Sequence, residues 1–561
     1  MRIKMKFSEM PYTRVNYEET EAQFQKIMDD FQAAGSGEEQ FAVHQKYYEL
    51  LNRVMTEMTL AHIRHDVDTS DEFYDAENDY YDEIMPKLNN LLVKYSRIMY
   101  ESPYREKLEK IIGPVAFKNM ELSMKAFDEK LIPLMQEENA LMSAYDKLIA
   151  SAKIDWEGEV LNLSLLRKYI TSSDRETRKK AYGKQVSFFA ENKEQLDDIY
   201  DKLVKNRTAQ AKMMGYENYL PLGYYRMGRN CYDKNMVEVF RNQVKKYLVP
   251  FAEKLHEKRR IRLGLDHLMC YDEGSYFPEG NPAPIGTPEE ILKKGQKMYS
   301  ELSKETKEFY NFMMEGGLFD VLGRKTKKAG GYMTYLPLYN APFVFANFNG
   351  TSGDVDVITH ECGHAFQGYL SGMDPIQEHR DITMETAEIH SMSMEFFTEP
   401  WMELFFGERA QDYVTMHLED SITFIPYGCM VDEFQHIVYE NPDMTPDERN
   451  AAWRKLEKEY KPHLDYTGFD HYEAGGFWQK QLHIYTSPLY YIDYCLAQTC
   501  ALQYKCKMDE NYEEAWKSYL KLCRLSASGF FTDMIVEVGL DNPFEDGCVK
   551  SIVEKLQKKH N

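Results

Sequence analysis

Two histidines four residues apart, with a glutamate beside the first, are the residues of this 561-residue chain best suited to catalysis. They lie in the stretch His360-Glu361-Cys362-Gly363-His364. Positions i and i+4 share one face of an α-helix, so the two imidazoles can bind one metal ion while Glu361 reaches a water molecule on it. This H-E-x-x-H spacing is typical of zinc hydrolases, in which a carboxylate takes the proton of the water.

The residues around the motif predict that it lies on a helix. Thr351 and Ser352 can cap that helix, and acidic residues occupy its first turn, as the helix dipole prefers. A glycine inside a helix costs about 1 kcal/mol relative to alanine. The presence of Gly363 therefore predicts that another backbone approaches closely there.

A short strand is predicted just before the helix. Residues 343–348 are rich in β-branched and aromatic residues, and the turn dipeptide Asn349-Gly350 closes them. Two interpretations stay open at this point. The strand binds an extended peptide through unpaired backbone groups, or it lies inside a sheet with no substrate role.

A catalytic zinc needs a third protein ligand from another element. The metzincin pattern is excluded, because it requires a histidine six residues beyond His364 and position 370 is leucine. A second helix is predicted over residues 381–397. Spacing alone leaves four candidates for the third ligand open: Glu385, Glu388, His390 and His379.

Composition limits the classes of protein that remain. A chain of 561 residues with 43% hydrophobic residues can bury a large core, and its length indicates at least two lobes. We expect an N-terminal helical lobe over 1–200 and a catalytic lobe over 201–561. The net charge of −23 argues against a nucleic-acid or anionic-membrane surface.

The same composition predicts a cytoplasmic protein. Nine cysteines occur without a C-x-x-C pair, which is typical of a reducing compartment. The N-terminus lacks the apolar stretch of a secretory signal, and no segment has the apolar length of a membrane span. The sequence leaves the oligomeric state open.

The chain resembles the oligoendopeptidase F and thimet oligopeptidase family of zinc metallopeptidases. The resemblance rests on residues 343–364, on the run Ala387-Glu388-Ile389-His390-Ser391 and on Glu395, and it extends from roughly Leu165 to Pro543. It implies that Glu388 is the third ligand of one zinc ion per chain and that Glu395 supports the ligands. It also implies a mainly α fold, a two-lobed helical ellipsoid with a deep substrate cleft and a small sheet beside the zinc helix.

A second signature of that family is a glycine-containing loop followed by histidine and tyrosine residues. Here Gly475-Gly476 precedes His483, Tyr490, Tyr491 and Tyr494. Imidazole and phenol groups are suitable donors to a tetrahedral oxyanion. His483 and Tyr494 fit the pattern of the family, whereas Tyr490 and Tyr491 compete for one position between them.

The resulting hypothesis is a zinc endopeptidase that cuts short peptides internally, with Glu361 as the general base. A cleft of the implied kind admits oligopeptides and excludes folded proteins. Two alternatives are a zinc carboxypeptidase of similar helical architecture and a peptide-binding protein without catalysis. The ligands and the base are all present, so the sequence gives no support for lost activity.

Overall fold

The computed structural model describes residues 5–560. Residues 1–4, part of the stretch in which no secretory signal was expected, lie outside the described residues, as does Asn561. The chain forms two compact units, each made of three segments: unit 1 comprises residues 5–124, 282–411 and 503–540, and unit 2 comprises residues 125–281, 412–502 and 541–560. The expected boundary at residue 200, between an N-terminal helical lobe and a catalytic lobe, stays a prediction.

Unit 1 opens with long amphipathic helices. Asn16 caps the first of them, because its side chain accepts a hydrogen bond from the backbone N–H of Glu19. Phe24, Tyr47 and Tyr95 lie in the core between the first three helices. The helices of the N-terminal segment are α1 (Tyr17–Ala33), α2 (Gly37–Val67), α3 (Glu72–Tyr100), α4 (Arg105–Ile112) and α5 (Pro114–Ala126).

The strands β1 (Ile154–Trp156) and β2 (Glu159–Leu161) form an antiparallel hairpin in unit 2. The surrounding helices of this first segment of unit 2 are α6 (Ile132–Ala150), α7 (Leu163–Ile170), α8 (Arg175–Glu191), α9 (Lys193–Met213), α10 (Tyr219–Arg226), α11 (Lys234–Gln243) and α12 (Val249–Arg262).

The middle segment of unit 1 contains a three-stranded sheet, which two helices precede and three follow in the chain. The helices are α13 (Pro288–Leu302), α14 (Lys304–Glu315), α15 (Gly353–Ser371), α16 (Met384–Phe397) and the short α17 (Met402–Phe406). The strands are β3 (Phe319–Leu322), β4 (Tyr332–Leu336) and β5 (Ala341–Phe348). Because α15 follows β5 after four residues, the sheet lies beside the helix of the H-E-x-x-H motif, as predicted.

The predicted strand is the central strand of this sheet. β5 pairs in parallel with β3 on one side and antiparallel with β4 on the other, in the order β3-β5-β4. Its backbone groups are therefore used within the sheet. Of the two interpretations left open by the sequence, the internal strand is the one that the structure supports.

The remaining helices complete both units. They are α18 (Ala410–Glu440), α19 (Pro446–Tyr460), α20 (Asp470–Glu473), α21 (Leu482–Thr486), α22 (Tyr491–Leu525), α23 (Phe531–Glu537) and α24 (Cys548–His560). A non-helical residue, Asn511, kinks α22. The mainly α fold with small sheets is confirmed. Within residues 5–560, no helix combines the length and apolar character needed to cross a bilayer.

Candidate metal centre

The helix of the H-E-x-x-H motif is anchored by an aspartate in its first turn. The carboxylate of Asp354 accepts hydrogen bonds of 2.8 Å from the backbone N–H groups of Asn349 and Gly350. The predicted caps act differently: the Ser352 side chain makes no capping bond, and the Thr351 hydroxyl donates to the side chain of Asn349. The capping prediction was wrong, because Asp354 ties the preceding turn to the start of α15.

The structure brings His360, His364 and Glu388 together in unit 1. Nε2 of His360 lies 3.4 Å from Oε2 of Glu388, and Nε2 of His364 lies 3.5 Å from the same oxygen. Two ligands that are each about 2.0–2.1 Å from a tetrahedral zinc ion lie about 3.3–3.4 Å apart. These three side chains thus have the donor types and the spacing that a zinc ion requires.

Two further side chains contact two of the three potential ligands, His360 and Glu388. Oε1 of Glu395 lies 2.6 Å from Nδ1 of His360, on the side of the ring away from Glu388. The hydroxyl of Ser391 donates to Oε2 of Glu388 over 3.0 Å. A carboxylate on the second nitrogen fixes the tautomer and the direction of a metal-binding histidine. Glu395 therefore occupies the supporting position that the resemblance implied.

The charges at the centre favour a bound cation. Burial opposes charging of His360, but the carboxylates of Glu388 and Glu395 outweigh burial and raise the pKa of His360 well above its ordinary value. Burial would also neutralise Glu388, yet the two imidazoles hold the pKa of its carboxyl far below the usual range. Carboxylates that hold protons on neighbouring imidazoles can hold a divalent cation in the place of those protons.

The other candidates for a third ligand have different neighbours. The carboxylate of Glu385 accepts a 2.6 Å hydrogen bond from Thr383, and Nδ1 of His379 lies 3.0 Å from a carboxylate oxygen of Asp374. His390 is fully buried, and burial lowers its pKa to about 3. Of the four candidates, only Glu388 belongs to the group with His360 and His364. Glu361 is half-buried on the same helix as these histidines.

Gly363 lies where α15 and α16 come closest. A Cβ atom built on this glycine would lie 2.6 Å from the carbonyl oxygen of His390 and 2.6 Å from Cα of Ser391. Real Cβ contacts of that length essentially never occur. The predicted close backbone approach is confirmed, and it brings the helix of Glu388 against the helix of the two histidines.

The predicted oxyanion residues form one cluster in unit 2. The ring centroid of His483 lies 5.8 Å from that of Tyr490, 4.9 Å from that of Tyr491 and 6.1 Å from that of Tyr494. All four side chains are half-buried. Their catalytic roles stay predictions, because the metal ligands belong to unit 1.

A second group of potential metal ligands occurs in unit 2, and its geometry does not fit a metal. The rings of His256 and His463 are stacked 3.5 Å apart, so their lone pairs do not converge. Arg259 donates to Nδ1 of His256, and the two nitrogens of His463 face Glu253 and Glu273. This group is a partly buried network of hydrogen bonds, in which only His256 is fully buried and the nearby guanidinium of Arg259 already supplies positive charge.

The sequence reasoning missed three polar residues near these groups. Asp354 and Ser391 were seen but given no role at the centre, and Gln481, which contacts His483, was not considered. The sequence carries a weak signal for two of them. Ser391 lies three residues after Glu388 on one helix face, and Gln481 lies two residues before His483.

The chain is similar to proteins of a known peptidase family. Residues 7–127 match the Peptidase M3 N-terminal domain, and residues 168–554 match Peptidase family M3. Oligopeptidase PepF of Bacillus subtilis (strain 168) is 24% identical over 551 residues, which cover 91% of this chain and 79% of the relative. An oligoendopeptidase F homolog of Lactococcus lactis subsp. lactis (strain IL1403) is 21% identical over 542 residues, covering 90% of this chain and 86% of the relative.

A solved structure described as PZ peptidase A with an inhibitor is 49% identical, covers 99% of both chains and has a TM-score of 0.93. The family match spans more than half of the chain and includes His360, His364 and Glu388. The chain therefore belongs to peptidase family M3 and is a metallopeptidase.

Proposed function

We propose that this protein is a zinc-dependent endopeptidase that hydrolyses internal bonds of short oligopeptides. The observation that carries the proposal is the grouping of His360, His364 and Glu388 at zinc-ligand spacing, with Glu361 on the same helix. Membership of peptidase family M3 supports peptide hydrolysis. The relative named as an oligoendopeptidase F homolog supports internal cleavage of oligopeptides.

His360, His364 and Glu388 would hold one zinc ion per chain, which when bound would supply a Lewis acid and a water of lowered pKa. Glu361 would accept a proton from that water and pass it to the leaving amine. His483 and Tyr494 would donate hydrogen bonds to the oxyanion, and Tyr490 or Tyr491 would add a third donor. Glu395 would keep Nε2 of His360 directed at the site through its bond to Nδ1.

The expected partners are short peptides, with no nucleic acid and no membrane among them. We propose the cytoplasm as the site of action. The net charge of −23 supports the absence of nucleic-acid and membrane partners. Nine cysteines without a disulfide among them support the cytoplasm. The deep cleft implied by the resemblance remains part of this proposal.

A comparison of three proteins tests the function: the wild type, Glu361→Gln and the control Glu403→Gln. Glu403 is an exposed glutamate on α17, and its substitution by glutamine removes the same charge as Glu361→Gln. We expect about one zinc per chain in all three proteins by elemental analysis. Mass spectrometry of a mixed peptide pool should show internal cuts by the wild type and the control, with a rate roughly 10²–10⁴-fold lower for Glu361→Gln.

Three outcomes would contradict parts of the proposal. Intact peptides in the presence of zinc-loaded wild type would overturn peptide hydrolysis. A ladder of products shortened from the C-terminus would replace the endopeptidase with a carboxypeptidase. A fully active Glu361→Gln variant would refute the role of Glu361 as the general base.

A further inference from the structure

One glutamine in unit 2 contacts two members of the predicted oxyanion cluster and a third aromatic residue, Tyr427. Gln481 precedes α21 and is half-buried. Its Nε2 atom lies 3.0 Å from Nδ1 of His483, and its Oε1 atom lies 2.5 Å from the hydroxyl of Tyr427 and 3.3 Å from the hydroxyl of Tyr491. A single amide thus contacts the predicted oxyanion histidine and one of the predicted oxyanion tyrosines.

The distances determine which end of the amide faces the histidine. A hydroxyl donating to a carbonyl oxygen is typically about 2.5–3.0 Å away, whereas an N–H donor and an oxygen are typically about 2.7–3.2 Å apart. The 2.5 Å contact with Tyr427 is too short for an amide nitrogen, so the amide oxygen of Gln481 lies on that side. The amide N–H₂ then faces His483.

This orientation fixes the tautomer of His483. Because the Gln481 amide donates to Nδ1, that nitrogen must be the acceptor, and in a neutral imidazole the proton then resides on Nε2. Burial lowers the pKa of His483, which favours the neutral ring. The ring therefore has a donor N–H on the nitrogen away from Gln481, which is what stabilisation of an oxyanion requires.

The groups around His483 do not compete with this arrangement. The rings of Tyr490, Tyr491 and Tyr494 surround it, and Lys480 precedes Gln481 in the chain. Burial lowers the pKa of Lys480 to about 8. Within residues 5–560, the hydrogen bond found for the imidazole nitrogens of His483 is the one from Gln481, with no carboxylate as partner.

We propose that Gln481 is a positioning residue that holds His483 in the Nε2–H tautomer and thereby makes it a hydrogen-bond donor to the substrate oxyanion. The proposal rests on the proposed peptidase function for the identity of the acceptor. The tautomer itself depends only on contacts within unit 2. Substituting Gln481 should therefore change the state of His483 whether or not a peptide is cleaved.

Gln481→Glu tests the proposal because it replaces the hydrogen-bond donor that faces Nδ1 with an acceptor of nearly the same shape. A carboxylate cannot donate, so it accepts a hydrogen bond from Nδ1–H and raises the pKa of His483 by charge attraction. Below that raised pKa the imidazolium still carries a proton on Nε2. Above it the neutral ring keeps its proton on Nδ1, and the donor at Nε2 is lost.

We expect two results from this variant. In ¹⁵N spectra of histidine-labelled protein, with the His483 signals assigned by comparison with His483→Ala, the neutral ring should be the Nε2–H form in the wild type and the Nδ1–H form in Gln481→Glu. The kcat of the variant should fall as the pH rises through the raised pKa, by roughly 10²–10³-fold, the loss of one oxyanion donor. In the wild type, deprotonation of His483 should cause no such fall in kcat.

Two further variants complete the test. Gln195→Glu changes an exposed glutamine on α9 and should keep the wild-type spectrum and pH profile. Gln481→Met adds no charge and should give a mixture of both tautomers. This variant tests the inference if the carboxylate of Gln481→Glu prevents folding. A wild-type Nδ1–H ring, or unchanged tautomers in the Gln481 variants, would overturn the proposal. If zinc-loaded wild type cleaves no peptide, the function fails, and the spectra still decide the role of Gln481.

Discussion

Substitution of Gly363 by alanine should separate the two helices that form the metal centre. The added Cβ would lie 2.6 Å from His390 O and Ser391 Cα, and ordinary contact begins at about 3.4 Å. The backbone of α16 must therefore move by about 0.8 Å, since the atoms in the way belong to the backbone and not to a flexible side chain. Glu388 lies on that helix and would move with it.

The displacement is large relative to the geometry of a metal site. The carboxylate of Glu388 lies 3.4 and 3.5 Å from the two imidazole nitrogens, which leaves little tolerance for a shift of this size. We expect zinc affinity to fall by roughly 10–100-fold, as for other changes that misdirect a ligand. Overpacking should also destabilise the protein by about 1–3 kcal/mol, partly offset by about 1 kcal/mol from the helix propensity of alanine.

Gly368→Ala provides a matched control on the same helix. A Cβ at Gly368 would meet the ring of Tyr335 at 3.5 Å, which is ordinary contact. Competition with a chelator should give the zinc affinity of each variant, and denaturant unfolding should give its stability. The control should bind zinc like the wild type and be slightly more stable. Equal zinc affinity in Gly363→Ala and Gly368→Ala would refute the argument that Gly363 sets the position of Glu388.

Two other changes probe the support of the centre and the buried charges of unit 2. Glu395→Ala removes the 2.6 Å partner of His360 Nδ1 and should lower zinc affinity roughly 10–100-fold, measured by chelator competition; unchanged affinity would show that His360 is oriented without it. Asp432 receives a 2.7 Å bond from Arg241, and although burial raises its pKa, the charges of His436 and Arg241 lower it to about 2. Ionised Asp432 therefore stabilises the folded protein, fully above the unfolded pKa of about 3.9, and this contribution is lost as the pH falls toward 2. Denaturant unfolding at pH 2–5 should therefore show that the free energy of unfolding falls more steeply with decreasing pH in the wild type than in Asp432→Asn. Equal pH dependence in the two proteins would contradict this role of Asp432.

The metal centre was the part of this protein most accessible from sequence. The spacing of His360 and His364 follows from helix geometry, and the unfavourable position of Gly363 in a helix correctly indicated a close contact. The choice of Glu388 among four candidates needed the resemblance, because helical spacing does not show which face of α16 turns toward α15. Local sequence identifies an element more readily than it identifies the neighbour of that element.

The errors and omissions have the same origin. Residues 343–348 were correctly predicted as a strand, but their central place depends on pairing with β3 and β4, which the local pattern does not contain. Thr351 and Ser352 have suitable side chains for a cap, yet Asp354 makes the bonds because the turn at Gly350, with φ of 82°, points its N–H groups at that carboxylate. Gln481 was overlooked because its significance lies in contacts with Tyr427, 54 residues away in the chain.

The division of unit 1 into three segments affects the order in which the protein can be completed during synthesis. The histidines and Glu388 emerge from the ribosome with α15 and α16, but the hydroxyl of Tyr519 that binds the backbone oxygen of His390 emerges more than a hundred residues later. At roughly 5–20 residues per second, this delay lasts from several seconds to about half a minute. Throughout that interval the helix of Glu388 lacks one of its packing partners, so the centre reaches its final form only when nearly the whole chain has been made.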